Sequence, residues 1–160
     1  MPEKNLSLHF ISFEGPEALP EEDRKLLQMA VEARKSAYAP YSGFSVGASV
    51  LLENGEVITG NNQENAAYPS GTCAERVAIW SAVSKFPKEA IKKVFISASS
   101  KNKIVDRPVS PCGSCRQTMA EYETRQNRKI AVYFTGETGE VIRSESVRDL
   151  LPFLFDNTLL

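Results

Sequence analysis

The stretch "FSVGASVLLENGEVITGN", residues 44–61, leaves this chain few ways to fold. Phe44, Val46, Ala48, Val50 and Leu52 recur at every second position, Asn54-Gly55 supplies the positive φ of a tight hairpin turn, and Val57 to Gly60 brings the chain back. The result is an antiparallel pair. A two-stranded ribbon holds in water only when something covers its apolar face. The segment from Pro20 to Ala39 is the first candidate: Leu26, Leu27, Ala30, Val31 and Ala37 recur at spacings of three and four until "APYSG" breaks the pattern.

Further along, Val77, Ile79, Trp80, Val83 and Phe86 predict a second helix over residues 72–86, followed by a compact strand from Lys93 to Ser99. "RPVSPCGSCRQTMAEYE" then predicts a helix from about Cys112 to Glu123. "KIAVYFTG" and "EVIRSE" are two strands joined by a turn too short for a parallel crossover, so they are antiparallel neighbours. Ser146 and Asp149 are spaced as a capping box for a short last helix in "SVRDLLPFLF". The order αββαβαββα implies an α/β fold, a three-layer α/β/α sandwich around a mixed five-stranded sheet. Residues 1–160 are expected to make one domain, with about 1–19 an irregular N-terminal extension.

Composition narrows the class of partner. A net charge of −1 and a pI near 5.9 supply no basic stripe for a phosphate backbone, which argues against a nucleic acid polymer. No run approaches the length of a membrane span and "MPEKNLSLHF" is not a secretory signal, so a cytoplasmic address without membrane partners is expected. Three cysteines, an odd number, argue against a disulfide framework and for free, catalytic or metal-bound thiols.

Cys112 and Cys115 are three apart, about 300 degrees on a helix, so both thiols leave one edge of a first turn. Cys73 also stands at a predicted helix start, and helices covering one sheet can bring their N-termini together. The partial positive charge there favours thiolates, and thiolates suit Zn²⁺. Three protein ligands leave a fourth position for water, with Glu75 the carboxylate to work it and Arg76 the cation to offset the excess negative charge. On a regular helix Cys73 and Glu75 diverge by about 200 degrees, so they share one site only if the helix end faces the ion.

"TCAE" together with "PCGSC" resembles the small, single-zinc, homotetrameric cytidine deaminases of the cytidine deaminase-like superfamily. The similarity runs from "SAYAPYSGFSVGA" through "NQENAAYPSGTCAERVAI" and "SPCGSCRQ" to "LLPFLF". It implies hydrolytic deamination of free cytidine and deoxycytidine in pyrimidine salvage, with one zinc per subunit held by Cys73, Cys112 and Cys115. A zinc-activated water attacks C4, and Glu75 carries its proton to N3 and then to the departing amine. Asn62 and Glu64 match a pair that hydrogen-bonds the ribose hydroxyls. Phe44 matches an aromatic beside the base, Ala66 and Tyr68 match positions near the sugar at a subunit boundary, and Phe155 matches an aromatic reaching a neighbour's site. A homotetramer with shared active sites follows from the same resemblance.

Plainer readings compete with each of these. Cysteines fill cores, Asn62 and Glu64 are ordinary loop residues, Phe44 opens an inward-facing series, and Arg76 fits a solvated helix face. A structural zinc knot needs a fourth ligand, and the single histidine, His9, lies in the N-terminal stretch. Two other functions share the metal: a deaminase of tRNA or single-stranded nucleic acid, and a non-catalytic structural zinc module.

Overall fold

A computed structural model describes residues 1–157. Among them six strands form one sheet: β1 (Phe10–Phe13), β2 (Phe44–Leu52), β3 (Val57–Asn61), β4 (Ile91–Ser100), β5 (Ala131–Thr135) and β6 (Val141–Ser144), in the spatial order β1-β6-β5-β4-β2-β3. The helices are α1 (Glu21–Arg34), α2 (Ala74–Lys85), α3 (Gly113–Gln126) and α4 (Val147–Leu150). Only β4 and β5 are parallel, and α3 is their crossover. The pleat divides the core. Ala48, Val50 and Leu52 face α2, α3 and α4, whereas Leu51, Phe95 and Tyr133 face Leu26, Leu27 and Ala30 of α1. The three-layer α/β/α sandwich implied by the element order is therefore present.

Two expectations need correction. The sheet has six strands rather than five, because part of the N-terminal extension expected to be irregular is β1, paired from Phe10↔Ser144 to Phe13↔Val141. Phe13 packs with Leu19, Tyr133 and Val141. "FISF" is too short to announce itself. Its pairing is set by the open edge of β6, which lies at the far end of the sequence. The first helix also stops at Arg34 instead of Ala39. Tyr38 instead exchanges backbone hydrogen bonds with residues 62–64: its N–H donates to Asn62 O at 3.0 Å, and Glu64 N–H donates to Tyr38 O at 2.8 Å.

Two glycines set how closely helices approach the sheet. A Cβ at Gly47 would lie 2.0 Å from the Ala30 carbonyl oxygen and 2.5 Å from the Arg34 nitrogen, and one at Gly60 would lie 2.6 Å from the Ala78 nitrogen. All three are backbone atoms that no rotamer change relieves. Gly47→Ala is accordingly expected to cost about 3 kcal/mol and to lower the melting temperature by roughly 6–12 °C. A thermal melt within about 2 °C of the parent would contradict that contact.

The topology brings two helix starts to one rim. Asn61 at the end of β3 pairs with Gly47 near the start of β2, and Ser100 at the end of β4 pairs with Phe44. The chain thus leaves β3 towards α2 and β4 towards α3 from the same end of the sheet. Among the described residues no helix is long and apolar enough to cross a membrane.

Candidate metal centre

Cys73 is the N-cap of α2 (φ −71, ψ 153) and Cys112 the N-cap of α3 (φ −67, ψ 167), while Cys115 sits buried in the first turn of α3. Both caps are extended, so neither side chain is tied to the helical rotation. That removes the roughly 200-degree divergence of Cys73 from Glu75 that a regular helix imposes. The three sulfurs all lie within 4.8 Å of one another. Cys73 Sγ is 3.8 Å from Cys112 Sγ, and Cys112 Sγ is 3.5 Å from Cys115 Sγ. Tetrahedral Zn–S bonds of about 2.3 Å place neighbouring sulfurs roughly 3.8 Å apart, so this triangle fits a zinc ion. His9 is exposed and lies outside the cluster.

The charges around the thiols are arranged to match. Hydrogen bonding from Cys115, reinforced by Arg76, pulls the Cys73 thiol down to about 5 despite partial burial. The same pairing pushes Cys115 up. Arg76 Nη2 lies 3.8 Å from Cys73 Sγ, and its guanidinium carbon is 5.6 Å from the Trp80 ring centroid. Glu75, one residue before Arg76, is 4% exposed. Burial pushes its carboxyl up to about 7, against hydrogen bonds from its own backbone N–H and the Cys115 thiol.

A backbone bridge carries the candidate sugar ligands to this centre. Gln63 N–H donates to Thr72 O and Thr72 N–H to Gln63 O, both at 2.9 Å, so Asn62 and Glu64 flank a residue locked next to Cys73. Asn62 spends its amide on β2, accepting from Val46 N–H at 2.7 Å and donating to Phe44 O at 3.0 Å, which leaves one N–H free of these bonds. The Glu64 carboxylate accepts from the Ser42 hydroxyl and from the Tyr41 and Ser42 N–H groups. Those donors, the hydroxyl foremost, hold it below the usual carboxylate range. Both side chains are thereby oriented before any ligand arrives.

Asn62, Glu64, Tyr68, Cys73 and Arg76 line one open cavity of about 550 Å³, joined by Tyr41, Ser42 and Thr72, which sequence reasoning had not selected. Tyr41 and Ser42 belong to "APYSG", which ends the predicted first helix and lies within the "SAYAPYSGFSVGA" stretch of the family resemblance, where neither residue has a role of its own. Phe44, Ala66 and Phe155 are not among the lining residues, and neither are Glu75, Cys112 and Cys115, which lie behind Cys73. Phe44 is half-buried on β2 and Ala66 is exposed. Phe155 is 57% exposed, and its carbonyl accepts from Gln117 Nε2 at 2.8 Å.

Residues 20–132, which contain all three cysteines, match the family model described as the cytidine and deoxycytidylate deaminase zinc-binding region. The chain belongs to this family. Among its relatives, the cytidine deaminase of Halalkalibacterium halodurans is 41% identical over 134 residues, covering 83% of this chain and 94% of that protein. The cytidine deaminase of Sporosarcina psychrophila is 41% identical over 131 residues, covering 82% and 89%. The crystal structure of cytidine deaminase from Burkholderia pseudomallei superposes with a TM-score of 0.71 at 34% identity, covering 86% of this chain and all of that one. Family membership makes this a zinc-binding deaminase-family chain, and Cys73, Cys112 and Cys115 are the group whose spacing could hold the ion. The matched region begins at residue 20, so β1 lies outside it.

Proposed function

We propose that this chain catalyses zinc-dependent hydrolysis of free cytidine and deoxycytidine to uridine and deoxyuridine, releasing ammonia. One observation carries the reading: three thiols at tetrahedral spacing stand beside a buried carboxyl, and one of them, Cys73, lines a small-molecule-sized cavity together with Asn62 and Glu64. Cys73, Cys112 and Cys115 would hold the zinc, which would supply Lewis acidity and make water easier to deprotonate near neutral pH.

The chain's own residues do the rest. Glu75 takes a proton from the attacking water and delivers it to N3 of the cytosine ring. The C4–O bond forms, a second proton reaches the exocyclic nitrogen through the same carboxyl, and the C4–N bond breaks to release ammonia. Burial suits Glu75 to this work, because a carboxyl poised near neutrality both holds and returns a proton. Arg76, against Cys73, offsets the negative charge of three thiolates. Asn62 and Glu64 hold the ribose hydroxyls through the donor and lone-pair capacity that their backbone bonds leave free. Tyr68 lies near the sugar, while Phe44, Ala66 and Phe155, which do not line the cavity of the single chain, are assigned beside the base, near the sugar and at a neighbouring subunit's site by the family resemblance. The whole chain is read as one catalytic domain, assembled as a homotetramer with shared active sites in the cytoplasm and serving pyrimidine salvage.

The test is ammonia release from cytidine and deoxycytidine by the zinc-loaded chain. Activity on an oligonucleotide with both free nucleosides untouched would overturn the assignment. Glu64→Gln is expected to raise KM for cytidine by roughly 10–100-fold with a smaller effect on kcat, because it weakens a charge-assisted bond to the sugar, remote from the reacting carbon. Steady-state kinetics check this, and an unchanged KM would remove Glu64 from the sugar site.

A further inference from the structure

We infer that Arg116 is a positioning residue for the zinc site, fixing the backbone from which Cys112 projects; the inference rests on reading the three cysteines as zinc ligands. The three thiols are not held alike. Cys115 is buried inside α3, and Cys73 follows the Gln63–Thr72 backbone bridge. Cys112 is exposed and precedes its helix, so the direction of its side chain depends on residues 110 and 111, which belong to no helix or strand.

Arg116, in the first turn of α3, grips those two residues. Its Nε donates to Pro111 O at 2.8 Å, Nη2 donates to Ser110 Oγ at 3.0 Å, and Nη1 donates to Leu150 O, the last residue of α4, at 3.0 Å. One planar guanidinium therefore ties the peptide group immediately before Cys112 to a helix whose Val147 and Leu150 belong to the core. Pro111 adds a fixed φ to the same segment. A lysine amine cannot reproduce this fork, because its donors radiate from a single nitrogen instead of lying in a plane matched to three separated acceptors. Arg116 is not among the residues lining the cavity described above, and its effect passes through the Pro111–Cys112 peptide.

The test is chelator competition for zinc, well below the melting temperature, on the parent, Arg116→Lys, Arg116→Gln, Ser110→Ala and, as a control, Arg128→Gln, whose exposed side chain pairs with Glu53. Both Arg116 variants should bind zinc about 10–100-fold more weakly, as loss of a ligand-orienting partner does elsewhere. Ser110→Ala should lose about 2–5-fold and Arg128→Gln nothing. Cobalt(II) substitution should show a weakened or displaced thiolate charge-transfer band in the Arg116 variants. A merely structural role predicts otherwise: while nearly all the protein is folded, a general loss of stability lowers the melting temperature without changing metal affinity.

Parental zinc affinity in both Arg116 variants would overturn the inference. Should they fail to fold, Ser110→Ala decides in their place, with parental affinity again overturning it. A parent chain that binds no zinc would instead sink the zinc reading beneath it.

Discussion

Glu75→Gln is expected to lower kcat for cytidine by roughly 10²–10⁴-fold while the protein still takes up a full complement of zinc. Glutamine fills the same volume and keeps an acceptor, but it cannot carry a proton. The site needs one carried twice, once away from the water and once onto the leaving nitrogen. Because Glu75 is 4% exposed, no bulk water stands ready to replace it as the shuttle. Metal analysis alongside steady-state kinetics separates the two roles open to this residue. A kcat within about tenfold of the parent would show that Glu75 is not the proton carrier, and a loss of zinc would make it part of the metal's support instead.

Cys112→Ser should abolish the stabilisation that zinc confers. A ligand at about 1,000 times its dissociation constant adds roughly 4 kcal/mol to a folded state, which for a chain of this size corresponds to roughly 8–16 °C in melting temperature. The metal-free proteins should melt alike, since Cys112 is exposed and its sulfur fills no core space. The contrast is therefore in the zinc-induced shift: large for the parent, small for the variant, with zinc content falling in step. Undiminished zinc content in Cys112→Ser would remove this sulfur from the coordination sphere.

Much of the architecture was legible because its signals are local. The β2–β3 hairpin announces itself through alternation and Asn54-Gly55, and Gly55 does adopt a positive φ of 87. The antiparallel pairing of β5 with β6 follows from the brevity of their connection. Ser146 caps α4, but by accepting from Arg148 N–H at 3.2 Å and donating to Glu123, a simpler cap than the box its spacing with Asp149 suggested. The elements missed or misjudged are those whose partners are distant: β1 exists because β6 offers an edge, and α1 ends early because Tyr38 has backbone partners at residues 62–64. The same division runs through the site. Cys73, Glu75, Cys112 and Cys115 stand out by residue type and spacing, whereas Tyr41 binds Glu64 through a backbone N–H, which every residue has except proline, and the Ser42 hydroxyl acquires its role only from a partner 22 residues away.

The amino-acid sequence by itself singled out three thiols and a carboxyl as one set of groups suited to a metal, since ligand chemistry follows from side-chain type and the helix starts follow from short-range pattern. Tertiary structure alone decided how they converge. Two helix N-termini share one rim because β2 runs antiparallel to both β3 and β4. The Glu75 carboxyl is pushed up because packing excludes water from it. Convergence and desolvation belong to no single segment of the chain: each arises only when parts remote in sequence are pressed together and the water between them is gone.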